Sequence, residues 1–89
     1  MVTDTESPLR FPCRFPIKAV GDAEEDFVEH VRGLVERHVG RLLEDDIRTH
    51  VSRQGTFIAV TITIEATSRE QLDAIYQDLT ASHRIKFAL

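Results

Sequence analysis

Residues 57–66, FIAVTITIEA, alternate without a break. Ile58, Val60, Ile62 and Ile64 fall on one side of an extended chain, and Phe57, Ala59, Thr61, Thr63 and Glu65 on the other. A period of two over this length is a strand with one dry face. Its dry side is β-branched, which suits a pleated surface. Such a strand cannot stand alone. It needs neighbours for its backbone groups and a second layer over its apolar side.

The rest of the chain supplies both. Residues 13–20 read as a strand, with Phe15, Ile17 and Ala19 set against Arg14, Pro16 and Lys18. Pro16 has no N–H for a ladder, so this strand should lie at an edge or leave that side unpaired. Residues 46–53 alternate Ile47, Thr49 and Val51 against Arg48, His50 and Ser52, and RQGT turns them into the 57–66 strand, with Gly55 free to take positive φ. A last strand places Ile85, Phe87 and Leu89 on one side and Lys86 and Ala88 on the other.

Two helices fill the gaps. Gly21 is expected to break the first strand, with Asp22 as N-cap and Glu25 three residues on. Phe27, Val31, Leu34, Val35 and His38 then form one apolar stripe, which Gly40 ends. Thr67 or Ser68 caps the second helix, each with Glu70 or Gln71 three residues later, and Leu72, Ile75, Tyr76 and Leu79 form its stripe.

The order β-α-β-β-α-β, with one apolar side on every element, predicts a ferredoxin-like α/β (α+β) fold. It is a two-layer sandwich: a four-stranded antiparallel sheet, spatial order 4-1-3-2, with both helices on one face. Residues 1–11 read as a flexible tail and 12–89 as a single domain. The uncovered face should carry Arg14, Lys18, Arg48, His50, Phe57, Ala59, Thr61, Thr63 and Lys86.

Composition narrows the function. Eleven Lys and Arg against fifteen Asp and Glu give a formal charge of −4. A nucleic-acid binder needs a cationic excess for phosphate contact, so the balance argues against that class. The β-α-β-β-α-β order also suits an RNA-recognition module, but only Phe57 falls where stacking rings would be wanted. One cysteine allows no internal disulfide, and no apolar run nears the ~20 residues of a membrane span, so the expected setting is cytoplasmic.

The strings FPCRFPIKAVG and GTFIAVTITIEATSREQLDAIYQDL, with the hydrophobic last strand, resemble the small YbeD-like bacterial family across residues 10–89. The resemblance implies an ACT-like fold, similar to amino-acid-sensing regulatory domains. It also implies a regulatory role associated with lipoate metabolism, in a family with no settled biochemical function. A lysine placed to carry a lipoyl group has no equivalent here.

No catalytic set can be assembled. Cys13 has no base beside it, since Arg14 points to the opposite face of the strand. His30, His38, His50 and His83 are scattered, with no metal-ligand spacing. The Ser and Thr residues of the third strand and second helix cap have no matched histidine. The expectation is therefore a non-enzymatic module with no cofactor and no metal. Its partner is a protein or a small-molecule effector, and the edge strands allow a side-by-side homodimer. Arg48, His50, Phe57, Thr61 and Thr63 form the expected interaction surface. The alternative is a sensor for an amino acid or short acyl acid, bound at Gly21, Asp22 and Phe27, where a glycine lets backbone amides approach and a helix begins. The acidic run DAEED there would repel a carboxylate.

Overall fold

The alternating stretch is the backbone of the molecule. In the computed structural model, which describes residues 10–89, it forms the strand β3 (Phe57–Ala66). Before it come β1 (Cys13–Asp22), α1 (Phe27–Val39), a single 3-10 turn (Glu44–Asp46) and β2 (Ile47–Val51); after it come α2 (Arg69–Ala81) and β4 (Ile85–Ala88). The sheet is antiparallel in the order β2-β3-β1-β4, which is the ferredoxin-like arrangement expected.

β1 and β3 pair along their whole lengths, from Cys13 opposite Ala66 to Asp22 opposite Phe57. Both helices cover the face that carries Ile17, Ala19, Ile58, Val60, Ile62 and Ile64, and they close it with Phe27, Val31, Val35, Leu72, Ile75 and Leu79. Phe27, Val35, Val60, Ile62, Ile75 and Leu79 are fully shut off from solvent. Each such side chain contributes about 1.5–3 kcal/mol by leaving water.

The helix ends show how sequence sets local structure. Ser68 accepts a hydrogen bond from the Gln71 N–H at 3.0 Å, and the Gln71 side chain accepts one from the Thr67 N–H at 2.8 Å. Ser68 is thus a cap of α2 as expected, with the Gln71 side chain reaching one residue further back, to Thr67. At α1 the expectation fails. Gly21 does not break the strand, and Asp22 is not the cap; Asp22 is the last residue of β1 and lies opposite Phe57. β3 is long enough to hold β1 in register past the glycine, and the Ala23 N–H extends the ladder to the Thr56 carbonyl at 2.9 Å. The N-cap is Asp26, without a side-chain cap bond.

β1 is also not an edge strand. It lies inside the sheet, and Pro16 is accommodated by the other route. The Lys18 N–H points toward β4, where it donates to the Leu89 carbonyl at 3.1 Å. Pro16, two residues earlier, aims its nitrogen to the same side, beyond the Ala19–Gly21 stretch that β4 covers. No donor is wanted there.

β4 departs most from its pattern. The register shifts between Val20 and Gly21: Gly21 lies opposite Ile85, but Val20 lies opposite Phe87, leaving Lys86 as the extra residue of a bulge. One inserted residue moves everything after it to the other face. Ile85 is buried as expected, whereas Phe87 and Leu89 turn outward and Ala88 packs toward the core. Similarly, only Ile47 of the expected apolar side of β2 reaches the core, since Val51 is half exposed at the sheet's edge. Of the expected tail, residues 1–9 lie outside the described part, and Phe11 already packs on the core.

Candidate interaction surface

Directly paired residues share a face, so the register builds the open surface row by row. His50, Ala59, Val20 and Phe87 form one row across all four strands. Arg48, Thr61 and Lys18 form the next, extended by Leu89, which exchanges both backbone hydrogen bonds with Lys18. Phe57 lies on one side of these rows; Thr63, opposite Pro16, lies on the other. The five residues expected at the surface, Arg48, His50, Phe57, Thr61 and Thr63, are all on this helix-free face.

The bulge adds what the sequence pattern misses. It brings Phe87 and Leu89 to the open face beside half-buried Val20. Phe57 is 41%, Phe87 52% and Leu89 66% exposed. The apolar area is therefore several side chains, not one phenyl ring. The one signal for it in the sequence is Gly21, because a glycine inside a strand often marks a bulge. The Tyr76 hydroxyl donates to the Leu89 carbonyl at 2.6 Å and fixes that end of the surface.

Cations surround the apolar side chains. Lys18 and Arg48 form no ion pair among the described residues. Lys86 is 3.8 Å from Asp22, and Arg14 is 3.4 Å from Asp46 at the far end of the face.

The strand-to-helix turn is built differently. Gly21 and Phe27 do come together, but as packing partners: both are buried, and a Cβ on Gly21 would run into the Phe27 ring and lie 2.5 Å from the Arg84 carbonyl oxygen. The close approach that glycine permits is used by the protein's own groups. Asp22 stays exposed beside Lys86. The acidic run is held by Arg84, whose guanidinium contacts the Asp26 carboxylate at 2.6 and 3.4 Å and Glu24 at 3.0 Å. The hydrogen bond from Arg84 holds the Asp26 carboxyl below its usual 3.8.

One polar pair was not legible in the sequence. The His30 Nε2 lies 2.8 Å from the Ser82 Oγ, linking α1 to the end of α2. Burial keeps His30 below its usual 6.5. A hydroxyl beside a neutral imidazole is the start of a nucleophile–base arrangement. Here Ser82 is the C-cap of α2, and its oxygen also accepts from the Arg84 N–H at 3.3 Å. The contact ties secondary elements together. Cys13 is half-buried against the core at the start of β1. Among the described residues no three His, Cys, Asp or Glu side chains gather as metal ligands, and no helix is long and apolar enough to cross a membrane.

Known proteins share this chain's pattern over its length. The solution structure of protein HP0495 from H. pylori matches all of this chain and 94% of its own, with a TM-score of 0.73 at 16% identity, a likeness of fold alone. A UPF0250 protein from Azotobacter vinelandii is 43% identical over 89 residues, spanning 98% of this chain and 97% of that one. One from Chromobacterium violaceum is 39% identical, with all of both chains covered. The family described as "Protein of unknown function (DUF493)" matches residues 6–89. With relatives of equal length and a match over nearly every residue, the chain belongs to the DUF493 family, the YbeD-like group its strand and helix motifs resemble.

Proposed function

We propose that the protein is a stand-alone, non-catalytic interaction module that docks a partner protein on its open sheet face. One observation carries this reading. Phe57, Phe87, Leu89 and Val20 gather on the side of the sheet that no helix covers, with Lys18 and Arg48 among them. An apolar centre with a charged rim is the composition of a protein interface. Large aromatic side chains anchor such contacts, while rim charges choose the partner. The partner that fits presents apolar side chains ringed by carboxylates. Its regulatory setting, and the link to lipoate metabolism, rest on the family resemblance.

The test compares the wild-type protein with the double variant Phe57→Asp, Phe87→Asp, each immobilised and exposed to extract of the native cell. Proteins held by the wild type should be absent from the variant, whose thermal midpoint should stay close to that of the wild type. Equal retention by both would overturn the reading. So would saturable amide shifts confined to Val20–Phe27 on adding amino acids, lipoate or octanoate, which would make the protein a small-molecule sensor instead.

A further inference from the structure

The two edges of the sheet are finished differently. β4 is 4 residues long and interrupted by its bulge, a device that discourages further pairing. β2, one residue longer, has no bulge. Its register with β3 runs unbroken from Ile47 opposite Ile62 to Val51 opposite Ile58, and it contains no proline. Every residue of β2 after Ile47 is exposed.

The direction of its free backbone groups follows from one bond. The Ser52 N–H donates to the Phe57 carbonyl at 2.8 Å. In an antiparallel ladder such bonds recur at every second residue. His50 and Arg48 therefore turn their backbone groups toward β3, and Ile47, Thr49 and Val51 turn theirs outward, where the Ile47 N–H donates to the Glu44 carbonyl and the others are free for a neighbour.

We propose that β2 pairs antiparallel with β2 of a second copy, across a two-fold axis at Thr49. That register makes the strand complementary to itself. Thr49 lies opposite Thr49 of the second copy and exchanges both backbone hydrogen bonds with it, and Ile47 lies opposite Val51 of the second copy, whose N–H donates to the Ile47 carbonyl, the Ile47 N–H being held by the Glu44 carbonyl. Arg48 lies opposite His50 of the second copy on the open face. No two carboxylates and no two arginines are set opposite each other.

The helix side fits as well. Val51 is 50% exposed. Next to Ile47 is a groove of about 230 Å³, lined by Val28, Glu29, Arg32, Glu44 and Ile47. Val51 of the second copy, facing the helices opposite Ile47, enters this groove on its Val28 and Ile47 side. By symmetry both valines leave water. The contact is isologous and closes at two chains, because the edges left outermost are the bulged β4 strands. The two open faces then join across one eight-stranded sheet. This association does not depend on the partner-docking role of that face.

Sedimentation equilibrium of the full chain from micromolar to millimolar concentration tests it. The mass should rise from one chain toward two. Thr49→Pro removes an outward N–H and no bond to β3, so it should give a single-chain mass throughout, with an unchanged circular dichroism spectrum. His50→Glu places a carboxylate opposite Arg48 twice and should tighten the dimer on the order of tenfold. Should Thr49→Pro lose its fold, Val51→Lys decides, since that side chain is half exposed at the edge and lies outside the core; it too should give single chains. A one-chain mass for the wild type at the highest concentration overturns the proposal. So does a dimer that persists in the folded Thr49→Pro or Val51→Lys variant. The Phe57→Asp, Phe87→Asp variant should dimerise as the wild type does, which separates this outcome from failure of the docking role.

Discussion

The two faces of the β1–β3 pair are made from the same residues in alternation, and they obey different rules. On the helix side Ile17, Ala19, Val60 and Ile62 are sealed, and the space around them is filled. On the open side Lys18, Thr61 and Phe57 meet water, and little is packed on them. Neighbouring residues of one strand therefore differ in what they do. Ile62 holds the fold, and Thr61 is available for contact with something else. In a domain this small the helices cover one face only, and the other is left open.

Substitutions can break this division. Ile62→Ala empties a fully buried site beneath both helices and should cost about 2–5 kcal/mol, read from urea midpoints. Thr61→Ala, one residue away, should cost a fraction of that. Gly21→Ala comes next. Its methyl group meets the Phe27 ring and the Arg84 carbonyl, so the turn must shift, at about 1–3 kcal/mol. If Gly21→Ala left stability unchanged, the packed account of that turn would fall.

The pH dependence is a smaller effect and tests the ties at the helix ends. Folding lowers the His30 pKa, so the unfolded chain binds its proton first. Stability should therefore decrease as pH drops through 6.5, and His30→Gln should flatten that part of the profile. Asp26 is also lowered, but as an acid its contribution is present above 3.8 and is lost as pH falls below it. Arg84→Gln should remove that acid limb. Thermal midpoints across pH 3–8 for the three proteins check both signs. The smallest stability effect is expected on the open face, where Phe57→Asp with Phe87→Asp should cost no more than about 1 kcal/mol while abolishing partner capture.

Elements whose cause is local were legible in the sequence. β3 announces itself by alternation, and α2 by Ser68 and Gln71 with a stripe of three buried residues. The first helix's stripe was equally clear, but its start was not. The pattern points to Asp22 as the cap, but β3 holds Asp22 in the sheet and the helix begins only after Asp26. The face of Phe87 was illegible for a related reason. Alternation predicts a straight strand, and the bulge at Lys86 is set where β4 meets Gly21, Phe27 and Arg84. These contacts join residues far apart in the chain. That is why Phe87 and Leu89 were missed while the polar members of the surface, Arg48, His50, Thr61 and Thr63, were found.

The pairing of β1 with β3 also constrains how the chain reaches its fold. Cys13 must find Ala66, with α1, β2 and the turn at Gly55 strung between them. The β2–β3 hairpin closes a short loop and the central ladder a long one, and the loop-closure entropy of the long one is lost before its contacts compensate. Refolding speed should therefore follow the hairpin, where Gly55 sits at a φ of 76°. Gly55→Ala should slow refolding in stopped-flow measurements, whereas Ala88→Gly, at the far edge strand, should mainly speed unfolding.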